Sequence, residues 1–261
     1  MSLFLSPSLS SAPPDPAEFE RWWHRQGVWV EAPNLRRHGE SGVQILAPRA
    51  PAQAPLYCKR QTGHLYRSLR HPFGRPTILR ELQAYRALAR LGVGTPRLIY
   101  GGARRQNGQW RALLVTEALQ GFVSLEQWYA SRADAALTRA MLQELASTLA
   151  RLHRAGWQHG CCYPKHIFVK ARIGESETPR VEIALIDLEK SRRRLWASNA
   201  TRHDLDQLSR HRGNMPEADL AVFDQAYRLN VQGIFGSSID PFHRLDLDTG
   251  TRASVFGLPG R

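Results

Sequence analysis

The sequence predicts an α+β chain in two lobes. Three observations carry this expectation: strand-like segments crowd the first part, amphipathic helices fill the second, and one hairpin-like pair of apolar runs interrupts those helices. The regular strand–helix alternation of a doubly wound sheet is missing.

Taken in order, residues 1–17 read as a flexible tail, with no basic flank or sustained apolar core for a secretory signal. "EFERWWHRQGVWVE" has helical polarity and then a β-like piece from Val28 to Glu31. "PNLRRHGESGVQIL" is a glycine-containing turn leading into a strand, "APRAPAQAP" a loop, and "LYCKRQ" a strand. "GHLYRSLRHPFGRP" reads as an irregular basic insertion. Pro76 then opens a helix with Ile78, Leu82, Tyr85, Leu88 and Leu91 on one face. "TPRLIYGGAR" and "WRALLVTEAL" are strands around a polar turn. These pieces make a first lobe over 18–118: an antiparallel sheet with one main helix.

The mostly helical second lobe is placed at 119–235. "SLEQWYASR" starts a helix with Ser124 as N-cap, and a long periodic helix closes at Gly156. "HIFVK" and "RVEIALID" form the hairpin, and "TRHDLDQLSRH" and "EADLAVFDQAYRL" are helices. Residues 236–261 lack periodicity and read as a C-terminal tail.

Composition bounds the chemistry. The 261 residues are 42% hydrophobic and 23% charged, ordinary globular values, and no apolar run approaches the roughly 18 residues of a membrane span. Cys58, Cys161 and Cys162 offer no C-x-x-C pair, which points to a reducing, cytoplasmic compartment. The net charge of +13 favours an anionic partner: nucleic acid, acidic headgroups or a phosphorylated substrate. Lysine stands only at positions 59, 165, 170 and 190, and so strong an arginine bias also arises from a GC-rich genome. No basic repeat or RNP-type aromatic motif supports a specific nucleic-acid partner.

Phosphoryl transfer from ATP asks for positioning and charge neutralisation rather than elaborate covalent chemistry. Its parts occur in order: Lys59 on a strand, Glu81 on the polar side of the next helix, the loop "GWQHGCCYPKHIFV", and Asp187 at the end of an apolar strand. "HGESGV" (38–43), with Gly39 and Gly42, is a candidate phosphate-covering turn, although the full G-x-G-x-x-G pattern is missing. Each also has an ordinary reading. Lys59 and Glu81 can be solvated surface residues, the glycines plain turn residues, and Asp187 a cap.

The strings "PNLRRHGESGVQ", "YCKRQTGHLYRSLRHPFGRPTILRE", "QHGCCYPKHIFV", "LIDLEKSRRR" and "RHDLDQL" resemble the lipopolysaccharide core sugar kinases of the protein-kinase-like superfamily, and more closely the InaA-like branch. The resemblance spans most of residues 20–230. It implies a bilobal kinase fold, ATP with magnesium, and phosphorylation of a Kdo or heptose hydroxyl of the lipopolysaccharide inner core. By position, Lys59 matches the phosphate lysine, Glu81 its partner, Asp187 and His166 the metal ligands, and Asp204 the acid that braces the catalytic loop. Lys165 matches the loop lysine that steadies the transferring phosphoryl group.

The departure is Cys161, which stands where the active sugar kinases carry the aspartate of His-Arg-Asp-Cys-Tyr. An ordinary thiol, with pKa near 8.5, is a poor base at neutral pH. Cys161 as a nucleophile needs a lowered pKa, and the first histidine of such a loop, here His159, is usually structural, so no base is assigned. Two readings follow: a sugar kinase with unconventional base chemistry, or a pseudokinase that binds nucleotide or serves as a scaffold. The expected partner is a lipopolysaccharide core sugar or another anionic glycolipid. The segments "RQTGHLYRSLRHPFGR" and "KSRRRLW" suit peripheral contact with anionic lipid at the inner face of the inner membrane, or an ordinary solvated surface.

Overall fold

The computed structural model describes residues 15–232 apart from 37–38, 49, 51–52, 70, 132 and 175–177. The expected terminal tails therefore lie, for 1–14 and 236–261, outside the described residues, as does His38.

Helix α1 (Pro16–His24) begins inside the segment expected as tail: Asp15 accepts from the Ala17 N–H and Pro16 opens the first turn. Strands β1 (Val28–Trp29), β2 (Asn34–Arg36), β3 (Gly39–Leu46) and β4 (Leu56–Thr62) follow, then β5 (Leu65–Ser68) and β6 (His71–Pro76). The basic insertion is thus a hairpin, not irregular chain, with a bulge between Tyr66 and Ser68. Pro72 and Gly74 hid it, because proline is tolerated in a two-stranded ribbon that lacks a further neighbour to bond. After α2 (Thr77–Arg90) come β7 (Leu98–Gln106) and β8 (Gln109–Glu117). Asn107 and Gly108 both take positive φ in the turn between them, as a two-residue hairpin loop requires.

These strands make a six-stranded antiparallel sheet of order β1-β3-β4-β8-β7, with β2 also pairing β3. Central β4 pairs over seven positions with β3 and seven with β8. Its alternation sorts the side chains. Cys58 enters a cluster with Phe19, Leu46, Tyr100, Leu113 and Val115, covered by α1, while Lys59 and Gln61 face α2. Gly101 of β7 makes room for α2: a Cβ there would lie 2.2 Å from the Leu82 side chain.

Pro76 is the N-cap of α2 rather than its first helical residue, and it has no side-chain cap to give. Gln61 supplies one from the sheet. Its Oε1 accepts from Thr77 Oγ1 at 2.8 Å and from the Ile78 N–H at 3.2 Å. Truncation by Gln61→Ala is expected to cost about 1–2 kcal/mol, the scale of a lost cap, read as a lower urea midpoint at unchanged slope.

The remainder comprises β9 (Val123–Ser124), α3 (Leu125–Ala130), α4 (Ala135–Arg154), β10 (Trp157–Gln158), β11 (Ile167–Ile173), β12 (Pro179–Leu185), β13 (Arg192–Arg193), α5 (Ala197–Arg210) and α6 (Glu217–Gln232). Ser124 caps α3 in a full capping box with Gln127. Gly156 ends α4 in the left-handed region. The expected hairpin is β11–β12, paired from Ile167↔Leu185 to Ile173↔Pro179. Its far edge returns to the first half of the chain, where the Leu185 N–H donates to the Gly94 carbonyl at 2.9 Å. One hydrophobic cluster joins the two halves, from Ile78, Leu82, Tyr85 and Leu88 of α2 through Leu142, Leu145 and Leu149 of α4 to Phe223 and Tyr227 of α6. Leu91, expected on the α2 face, is the C-cap residue and packs at the margin of that cluster. Among the described residues no helix is long and apolar enough to cross a membrane.

Candidate active site

Lys59 Nζ lies 2.8 Å from Glu81 Oε2, 2.9 Å from Glu189 Oε2 and 3.9 Å from Asp187 Oδ1. Glu81 was expected on the polar side of its helix. It is instead 3% exposed, because the ammonium pairs with it there. Two residues of strand span nearly the rise of one helical turn. Gln61 on the α2 N-terminus and Lys59 on Glu81 therefore fix the same helix one turn apart. Burial disfavours the Lys59 charge, but Glu81, Glu189 and Asp187 outweigh it and hold its pKa above the ordinary value.

Glu189, two residues beyond Asp187, was not singled out from sequence. It sits in the 3-10 turn Leu188–Lys190, fixed through its carbonyl by Arg80 Nε at 2.6 Å and approached by His64 Nε2 at 3.5 Å. Asp187 enters that turn at φ +57°, a left-handed conformation that costs a residue with a side chain about 1–2 kcal/mol. Backbone strain of this kind gathers at functional sites.

The loop after α4 is held from below. Asp204 of α5 is fully buried; its Oδ2 accepts from the His159 N–H at 2.6 Å and lies 3.1 Å from His153 Nε2. Its Oδ1 accepts from the Gly160 N–H at 2.9 Å. Burial works to raise its pKa, but the hydrogen bond and charge of His153 overcome this and hold the carboxyl below its ordinary value. Gly160 takes φ +83°, and a Cβ would lie 2.6 Å from the Lys190 carbonyl oxygen, so no side chain fits there. Gln207 of the same helix accepts from the Cys162 N–H at 2.9 Å. It too was missed.

His159 is structural: fully buried, its Nδ1 accepts from the Cys161 N–H at 3.1 Å, and burial pushes its pKa down. Cys161 is 3% exposed. Burial first, then the charge of Asp187, push its thiol up to about 11, with Lys190 pulling the other way. With no ion bound it is a thiol at neutral pH, and so a poor base and a poor nucleophile. His166 Nε2 stands 3.7 Å from Asp187 Oδ2, across the loop from Lys59.

The fold thus gathers Lys59, Glu81, Cys161, His166 and Asp187 in one place. Lys165 is in the 3-10 turn Pro164–His166 but exposed. Gly39 and Gly42 lie in strand β3 and not in a turn, for reasons of close approach. A Cβ on Gly39 would lie 2.4 Å from the Thr62 carbonyl oxygen, and one on Gly42 2.6 Å from the Trp29 ring.

The chain is 44% identical over 206 residues to Protein InaA of Escherichia coli (strain K12), covering 77% of this chain and 91% of that one. It is 29% identical over 117 residues to the lipopolysaccharide core heptose(I) kinase WaaP of the same organism, 43% of this chain and 44% of the kinase. The solved structure described as WaaP in complex with acyl carrier protein superposes with a TM-score of 0.59 at 21% identity, over 83% of this chain and 87% of that one, and so shares the fold. Residues 20–227 match the family described as Lipopolysaccharide kinase (Kdo/WaaP) family, and the chain belongs to that family.

Proposed function

We propose that this chain is an ATP-dependent phosphotransferase acting on a sugar hydroxyl of the lipopolysaccharide inner core, Kdo or heptose, with the first lobe over 18–118 and the second over 119–235. The observation that supports it is the convergence of the Lys59–Glu81 pair with Asp187 and His166. ATP supplies the phosphoryl group when bound, with a divalent ion such as magnesium to neutralise its charge. Lys59, held by Glu81, is placed to meet the phosphates. Asp187 and His166 would hold the ion. Gly39 and Gly42 keep β3 close to its neighbours in the sheet that carries Lys59, and Lys165 is exposed on the loop, where a transferring group would be steadied. Cys161 lines the acceptor position without taking its proton. A positioned general base is usually worth about 10²–10⁴-fold, so its absence at Cys161 entails slow turnover under this reading.

The protonated Cys161 favours a second reading, a pseudokinase that binds nucleotide without transferring phosphate. Transfer of labelled γ-phosphate to isolated lipopolysaccharide core separates the two. Under the first reading the wild type is active, and Asp187→Ala lowers the rate ~10³-fold, the equivalent of several kcal/mol of lost charge stabilisation. Transfer by Cys161→Asp alone, with magnesium-dependent nucleotide binding in both, selects the second. No transfer by either variant and no nucleotide binding would sink both.

Peripheral membrane contact belongs to the same proposal. Phe73 on the β5–β6 hairpin and Leu195 and Trp196 after β13 are exposed at 93%, 98% and 70%, in segments that also carry Arg67 and Arg75, and Arg192 and Arg193. Apolar tips among arginines suit an anionic leaflet, the inner face of the inner membrane, where lipid-linked core sugars are presented.

A further inference from the structure

Three donor atoms of unlike chemistry converge beneath Lys59. Cys161 Sγ, a ring nitrogen of His166 and a carboxylate oxygen of Asp187 all lie within 4.8 Å of one another. The orientation of the imidazole is already set. His166 Nδ1 is 2.9 Å from the Cys161 carbonyl oxygen, so Nδ1 carries the proton and donates it, leaving Nε2 with its lone pair on the Asp187 side. A ring nitrogen anchored on a backbone carbonyl is the usual support of a metal-binding histidine. The loop that carries both Cys161 and His166 is rigid from beneath, through the Asp204 bonds to His159 and Gly160 and the Cys161 N–H bond to His159.

The donor set discriminates between ions. Magnesium demands oxygen ligands in near-octahedral array and binds through carboxylates, phosphates and water. Sulfur, imidazole nitrogen and one carboxylate are the ligands of zinc-class ions, and three protein donors with one open position are the catalytic form of such a site. Bond lengths of about 2.0–2.3 Å put tetrahedral neighbours roughly 3.5 Å apart, so the widest pair must close by about an ångström. Asp187, at 36% exposure, has room to turn. Lys190, which faces the Cys161 sulfur, is exposed and able to swing out.

We infer that this site takes a borderline divalent transition ion of the zinc class, through Cys161 Sγ, His166 Nε2 and the Asp187 carboxylate, in place of magnesium. On binding, Cys161 releases its proton to solvent as the sulfur–metal bond forms. The inference rests on the proposed function only for what meets the open position, a phosphate oxygen; the choice of ion follows from the donors.

The test uses the full chain without an affinity tag, stripped with a chelator and titrated with Co²⁺ alone. One equivalent is expected to bind with a sulfur-to-cobalt charge-transfer band, reversed by Zn²⁺ and unmoved by a thousandfold excess of Mg²⁺. Cys161→Ser should abolish the band and weaken binding by at least the roughly 10–100-fold that loss of an outer-shell partner costs. Cys162→Ala, the neighbouring thiol outside the cluster, should keep it, with circular dichroism confirming the fold of each variant. A band that survives Cys161→Ser, that is lost only in Cys162→Ala, or that Mg²⁺ erases overturns the assignment. Nucleotide binding is measured in parallel. Loss of the band with nucleotide bound removes the ion assignment alone, and a normal band without nucleotide binding removes the kinase reading alone.

Discussion

Cys161→Asp is expected to raise phosphoryl transfer by about 10²–10⁴-fold, the usual worth of a positioned general base. The surroundings already suit a carboxylate. The residue is held by its own N–H, which donates to the His159 ring, and by the Asp204 clamp on Gly160, neither of which involves the sulfur. Aspartate is close to cysteine in size, and Lys190, which lies against the thiol, supplies a compensating charge. The opposing effect is repulsion from Asp187, the same charge that helps to push the thiol up to about 11. A bound cation offsets that repulsion, so the gain should appear at saturating divalent cation and shrink as it is withdrawn; with sulfur replaced by a carboxylate, magnesium itself can serve. The measurement is kcat for γ-phosphate transfer with nucleotide affinity determined separately. A Cys161→Asp enzyme that binds nucleotide as the wild type does and turns over no faster would show that position 161 does not face the acceptor.

The second large effect is on stability. Asp204→Ala is expected to cost about 3–5 kcal/mol, the range for removing one partner from a buried charged network. Four donors lose their acceptor at once: the His159 and Gly160 amides, and the side chains of His153 and His203. The loss reaches further, since His153 Nδ1 meets Tyr227 at 2.8 Å and Tyr227 meets Thr201 at 3.1 Å. Against a total stability of about 5–15 kcal/mol, that is a large fraction, read as a much lower urea midpoint. The sign with pH follows from the depressed pKa. Asp204 contributes its stability above the unfolded value of about 3.9 and loses it as pH falls through the lower folded value. Acid unfolding of Asp204→Asn should therefore lack that component below about pH 4. Urea midpoints for the three proteins between pH 3 and pH 7 provide the check. A cost under about 1 kcal/mol for Asp204→Ala would mean that the loop holds itself.

Much of the active-site arrangement is legible along the chain because local patterns carry it. Lys59 stands on an alternating strand, Asp187 ends an apolar run, and the β11–β12 hairpin brings Asp187 back beside His166. Ser124 announces its capping box in sequence. What stayed hidden depends on partners far apart. Glu189 meets Lys59 across 130 positions, and Gln61 serves α2 from a different element. Glu189 did leave a trace, as a second acid in phase with Asp187 in "IDLEK". Gly39 and Gly42 were misplaced because a glycine demanded by a close neighbour looks, in one dimension, like a glycine demanded by a turn. Glu81 looked solvent-facing because its counter-charge lies on another strand.

The carboxyl groups around Lys59 set the order in which guests are admitted. One ammonium is met by Glu81, Asp187 and Glu189, so a polyphosphate arriving by itself encounters repulsion as well as attraction. A cation arriving by itself meets the same carboxylates as attraction. By offsetting their charge it removes the obstacle to the polyphosphate, and the two affinities are reciprocally coupled: whatever factor the cation adds to nucleotide binding, the nucleotide returns to the cation.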